Sequence, residues 1–177
     1  MPTSYDDTVS RVTAETTQRD TNSEDISVLG SRPSALLMVK RLQMIARALV
    51  DDALRPDGLT ALQYTALAFI RHRGPMSSAE LARRCVVKPQ TMHEIVTGWV
   101  QRGIVVKELG PARGRSLLVS LADEGHALLE RCDPEVEAVE DRMLRGMTPG
   151  QRTLFLEILH HAIAELGAEA RERDVTP

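Results

Sequence analysis

The hydrophobic pattern changes period at Gly103, and few folds accommodate both halves of that change. Between Thr60 and Gly103, apolar residues recur at helical spacing and are cut into short pieces by start and stop signals. Thr60 followed three residues later by Gln63 makes a capping box: the hydroxyl accepts an orphan backbone N–H and the amide reaches back to the cap residue. Tyr64, Leu67, Ala68 and Ile70 carry that helix to Gly74. Ser77 and Glu80 predict a second box, opening a short helix through Leu81, Ala82 and Cys85. Pro89 suits the first position of the next helix, whose inner face is Met92, Ile95, Val96 and Trp99. After Gly103, the β-rich runs 104–109 and 116–121 flank Gly110, Pro111, Ala112, Arg113, Gly114 and Arg115, a two-stranded β-hairpin wing with a basic tip. Helix, tight turn, helix and hairpin make the outline of a winged helix-turn-helix.

Both flanks read as helix. Over 34–55, Met38, Leu42, Ile45, Leu49 and Ala53 form one stripe, ended by Arg55, Pro56, Asp57 and Gly58. Beyond the hairpin, Leu129, Cys132, Val136, Val139 and Met143 form another, with Pro134 expected to kink or restart the helix. Thr148, Pro149 and Gln151 give a third capping box, followed by Phe155, Leu159, Ala162 and Leu166. The fold class is therefore mainly α, consistent with only 3% aromatic residues in a 177-residue chain. Residues 1–32 are rich in Thr, Ser, Asp and Glu without apolar periodicity, and read as a disordered or loosely docked tail.

The net charge of −3 conceals a segregation. Residues 78–121 carry seven basic and three acidic groups, whereas 122–177 carry six and thirteen. A local basic field is what a polyanion-binding surface needs. Enzyme chemistry finds little support. His72, His93, His126, His160 and His161 lack metal-ligand spacing, and no metal or other cofactor is expected. No Gly-rich phosphate loop or serine elbow stands out. Cys85 and Cys132, in helical segments, offer no disulfide framework and read as buried, inert thiols. The single Trp99 shares a face with Ile95 and Val96 and reads as core. With no apolar run long enough to span a bilayer and no signal-like amino terminus, a cytoplasmic protein without a membrane partner is expected.

Several strings, taken in order, resemble the MarR family of bacterial transcription regulators over roughly residues 35–168. They are Leu59, Thr60, Gln63, Tyr64 and Leu67; Ser78, Glu80, Leu81 and Ala82; Pro89, Gln90, Thr91 and Met92; Arg102, Gly103, Ile104 and Val105; then Gly114, Arg115, Val119, Leu121 and Gly125. Three positions depart from the pattern. Lys88 replaces a capping Ser or Thr, Ala122 replaces a Thr and leaves the next helix to be capped by Asp123, and Arg113 replaces an acid beside the wing arginine.

The resemblance implies a homodimer that binds double-stranded DNA, probed by a winged domain over 59–122. Helical segments 33–58 and 123–172 would form the dimerisation region. On the recognition helix, Gln90, Thr91, Glu94 and Thr97 face outward with His93 at the flank, and Gln90 suits bidentate pairing with adenine. Arg113 and Arg115 are assigned to phosphate or the minor groove, and Ser77 and Lys88 to phosphates. The resemblance also implies a small, often anionic aromatic effector, for which Met44, Tyr64 and Arg71 are the candidate contacts. The function read from these features is a ligand-responsive repressor on an inverted repeat. Two alternatives stand beside it: a winged-helix module that binds protein through its acidic end, and a cysteine-based redox sensor, although the family's sensing cysteine lies near the start of the dimer region.

Overall fold

Capping and packing set where this chain turns. The computed structural model describes residues 34–110 and 117–174, with side chains as far as 167. The predicted tail and the wing tip with Arg113 and Arg115 lie outside the described residues. Helix α1 spans Ala35–Leu54 and runs into a 3-10 turn, Arg55–Asp57. Gly58 closes that turn at φ 67°, a left-handed conformation that suits glycine. Helix α2, Ala61–Arg73, starts with the full capping box: Gln63 N–H donates to Thr60 Oγ1 at 3.2 Å, and Thr60 N–H donates to Gln63 Oε1 at 3.0 Å. Strand β1 (Met76–Ser77), helix α3 (Ser78–Arg84) and helix α4 (Pro89–Gln101) follow, then strands β2 (Val105–Leu109) and β3 (Leu117–Leu121). Helices α5 (Asp123–Met143) and α6 (Pro149–Asp174) complete the chain.

The chain divides into two units between Ile45 and Ala46. In the amino-terminal unit, the first half of α1 leaves Leu36, Leu37, Met38, Val39, Met44 and Ile45 exposed. The larger unit holds the core, in which Leu67, Leu81, Met92, Val96, Trp99, Ile104, Val119 and Leu129 are among the fully buried side chains. Trp99, 1% exposed, lies in the core as the sequence indicates.

The two predicted strands pair antiparallel, Val105 with Leu121 through Leu109 with Leu117. The sheet has a third strand beyond the hairpin: β1 adds to the other side of β3, with Met76 opposite Val119. Two residues are too few to show a period, and Ser77 serves as both strand end and helix cap.

Three local expectations need correction. Ser77 Oγ accepts from Glu80 N–H at 3.2 Å, but Glu80 does not reach back; its carboxylate takes Arg84 one turn later, at 2.7 Å. The second capping box is thus half formed, because an i, i+4 ion pair competes for the same acid. Asp123 does not cap α5: it is the first helical residue, and the cap position is Ala122, with no side-chain bond. Instead Ala122 N–H donates to Ile104 O at 3.0 Å, fixing the helix start from the sheet, while Asp123 and Glu124 favour the positive end of the helix dipole. Finally, α5 runs unbroken through Pro134. Leu129 and Cys132 before the proline and Val139 after it are all buried, so packing on both sides holds the helix across the lost hydrogen bond.

Among the described glycines, Gly125 is the one whose place a side chain could not share. A β-carbon there would run into the carbonyl oxygen of Ile104, so α5 leaves the sheet closely only because this residue has no side chain.

Candidate nucleic-acid interface

Helix α4 is sorted into two faces. Met92, Val96 and Trp99 are buried and Ile95 is half-buried, whereas Gln90, Thr91, His93 and Glu94 are all exposed. Thr97 is half-buried, and its hydroxyl donates to His93 O at 2.8 Å, which turns it toward its own backbone. Gln90 Nε2 donates to Glu94 Oε1 at 3.2 Å, aligning amide and acid along one edge of the helix.

The start of α4 is electropositive by construction. Lys88 occupies the cap position, exposed and without a side-chain cap bond, and Pro89 follows as the first helical residue. Pro89 has no N–H, and the amides of the first turn have no partner inside the helix. The positive end of the dipole and the Lys88 ammonium therefore favour the same kind of ligand, an anion. Ser77, half-buried at the start of α3, already accepts from Glu80 N–H, and its hydroxyl can still donate outward. Ser77 and Lys88 thus sit at the starts of the two helices of the turn, and the exposed Gln90, Thr91, His93 and Glu94 follow Lys88 directly.

The turn between α3 and α4 holds a feature the sequence did not single out. Val86 adopts φ 53° with 90% of its surface exposed. The left-handed region is unfavourable for a β-branched residue. Its place in the turn is held by Val86 N–H donating to Arg83 O and Val87 N–H to Ala82 O.

The effector candidates fall in different units of the chain. Met44 lies on α1 in the amino-terminal unit and is 59% exposed. Tyr64 and Arg71, seven residues apart on one face of α2, converge on Asp133 of α5. Arg71 Nη1 and Nη2 donate to the two Asp133 carboxylate oxygens at 2.7 and 3.0 Å, and the Tyr64 hydroxyl donates to Asp133 Oδ1 at 2.8 Å. The Arg71 guanidinium holds the Asp133 carboxyl below its ordinary range, while burial, then the neighbouring carboxylate, push the Tyr64 phenol up to about 12. Sequence reasoning named two members of this cluster and missed the third, because Asp133 carries no local signal.

Neither cysteine has the environment of a sensing thiolate. Burial pushes the thiols of Cys85 and Cys132 up to about 11. The adjacent arginines are engaged elsewhere, Arg84 with Glu80 and Arg131 with Asp57 and Glu124.

A helix-turn-helix backed by a three-stranded sheet, with the second helix polar outside and apolar inside, defines a winged helix-turn-helix protein. Comparison with known proteins narrows the class. The MarR family model matches residues 57–116. The HTH-type transcriptional repressor Rv2887 of Mycobacterium tuberculosis is 33% identical over 122 residues, 69% of this chain and 88% of the relative. The crystal structure of Rv2887 in complex with salicylic acid superposes with a TM-score of 0.62 at 31% identity, covering 76% of this chain and 99% of that one. Apo MarR of Escherichia coli shares the fold, with a TM-score of 0.65 at 20% identity over 75% of this chain and 99% of its own. The chain belongs to the MarR family. No described helix is long and apolar enough to cross a membrane.

Proposed function

We propose that this protein is a homodimeric, effector-responsive transcriptional repressor that reads an inverted repeat in double-stranded DNA. The observation that carries the reading is the two-faced α4, whose exposed residues follow an uncapped, lysine-bearing helix start. Gln90 and Thr91 lie in the first turn, where a recognition helix meets base edges; Gln90 suits adenine and Glu94 suits the cytosine amino group. Ser77 and Lys88 take phosphates, and Arg113 and Arg115 of the wing take phosphate or a narrow minor groove. His93 and Thr97 flank the reading edge. Residues 59–122 form the DNA-binding domain, and 33–58 with 123–172 form the dimerisation region, in keeping with the apolar side chains left exposed on α1 and α6. Half-sites are then spaced by about one helical turn of DNA or a multiple of it.

The effector is a small aromatic carboxylate. Its candidate contacts within the larger unit are Tyr64 and Arg71, and the reading is supported by the related Rv2887, crystallised with salicylic acid. The test is fluorescence anisotropy of the full chain on the duplex upstream of its own gene, beside a scrambled duplex, across salt concentrations. A preference of at least about 10³ with a steep salt slope is expected. Gln90→Ala relaxes preference at one base pair, and Arg115→Ala weakens binding to every sequence and lowers the slope by about 1. Weak binding to both duplexes, with capture of a protein partner by the acidic carboxy-terminal third, would favour a protein-interaction module instead.

A further inference from the structure

Asp133 is held as an arginine and a tyrosine would hold a ligand carboxylate. Three donors from one face of α2, two from Arg71 and one from Tyr64, converge on a single carboxylate that belongs to a different helix. The Arg71 contact is the forked, bidentate geometry by which guanidinium recognises carboxylates. The side chains of Arg71 and Asp133 are 25% and 26% exposed, so solutes can reach the pair. If Asp133 left with no replacement, a half-buried guanidinium and a phenol would lose their acceptor. If another carboxylate took its place, all three donors would stay satisfied and Asp133 would gain water.

The covalent neighbour of Asp133 gives this exchange a consequence. Pro134 is the one proline interior to a helix among the described residues. It cannot donate to the carbonyl one turn back, and it disfavours helical backbone at the residue before it, which is Asp133. Buried Leu129, Cys132 and Val139 hold α5 on either side of this point, and at the point itself the Asp133 side chain ties it to α2.

We infer that Arg71 and Tyr64 form a carboxylate receptor whose resident occupant is Asp133, and that a free aromatic carboxylate exchanging with Asp133 unpins α5 at Pro134. The inference rests on the effector-responsive reading above and assigns it a receptor, an internal competitor and a moving element. Asp133 keeps apparent ligand affinity low, because only the fraction of molecules with an open receptor can bind.

Equilibrium dialysis of the full-length protein against salicylate tests it, with wild type, Asp133→Asn, and Asp133→Asn combined with Arg71→Gln. Asp133→Asn, which removes the competing charge at almost constant size, is expected to bind salicylate roughly tenfold more tightly than wild type. Adding Arg71→Gln is expected to abolish the gain. Equal affinity of Asp133→Asn and wild type overturns the proposal, as does a gain that survives loss of Arg71. Salicylate binding by none of the three also overturns it, while the operator titration reports separately on DNA reading. Hydrogen exchange on the wild type needs no variant to fold. Saturating salicylate is expected to speed amide exchange around Pro134, and unchanged or slower exchange there contradicts the unpinning.

Discussion

Helices α4 and α6 are both long, and both carry apolar side chains at helical spacing, yet they satisfy them differently. Helix α4 buries Met92, Val96 and Trp99 within its own chain. Helix α6 buries no side chain among its described residues, and Leu154, Leu156, Ile158, Ile163 and Leu166 are between 38% and 68% exposed. A single chain thus provides a core for α4 and none for the described part of its last helix. Apolar side chains exposed to that extent, on more than one side of the helix, mark an interaction surface. On the proposed reading, a second copy of the chain covers these side chains and supplies the second α4 an inverted repeat needs.

The contrast can be broken most severely at its buried end. Trp99→Ala is expected to lower the unfolding free energy by about 3–5 kcal/mol, read as a fall in the urea midpoint at fixed protein concentration. At the other end, Ile163→Asp leaves each chain folded by circular dichroism but shifts the protein to monomer, and operator affinity falls on the order of a hundredfold as avidity is lost. A monomeric Ile163→Asp protein with wild-type operator affinity would separate DNA reading from dimerisation.

Smaller effects sharpen the same division. Thr60→Ala removes the hydroxyl of the α2 capping box and is expected to cost about 1 kcal/mol, read as a shift in the urea midpoint. Val86→Gly works in the opposite direction. Relief of the left-handed valine, about 1–2 kcal/mol, outweighs the added chain entropy of glycine, about 0.5–1 kcal/mol, for a net gain of roughly 0.5–1 kcal/mol. A loss of stability in Val86→Gly would mean that the exposed side chain makes a favourable contact in solution.

What the sequence could disclose depended on how far apart the partners stand. Thr60 with Gln63 and Thr148 with Gln151 were legible because each box closes across three residues, and both form in full. Ser77 with Glu80 obeys the same rule and is half formed, since Arg84 offers Glu80 an equally local partner. The outer and inner faces of α4 followed from its period alone. Asp133 was illegible because Arg71 and Tyr64 lie 62 and 69 residues away, and nothing near it announces them. Strand β1 escaped because its two residues are too few to alternate. The unbroken course of α5 through Pro134 escaped because packing on both sides overrides a local penalty.

The account turns on a second copy of the chain covering the exposed apolar side chains of α6 and presenting a second α4. Sedimentation equilibrium of the full-length protein at micromolar concentration, alone and with a duplex carrying one inverted repeat, tests this directly. The account predicts two chains per particle in both samples and one duplex per pair of chains. A stable monomer that occupies the duplex singly, at full specificity, would contradict it.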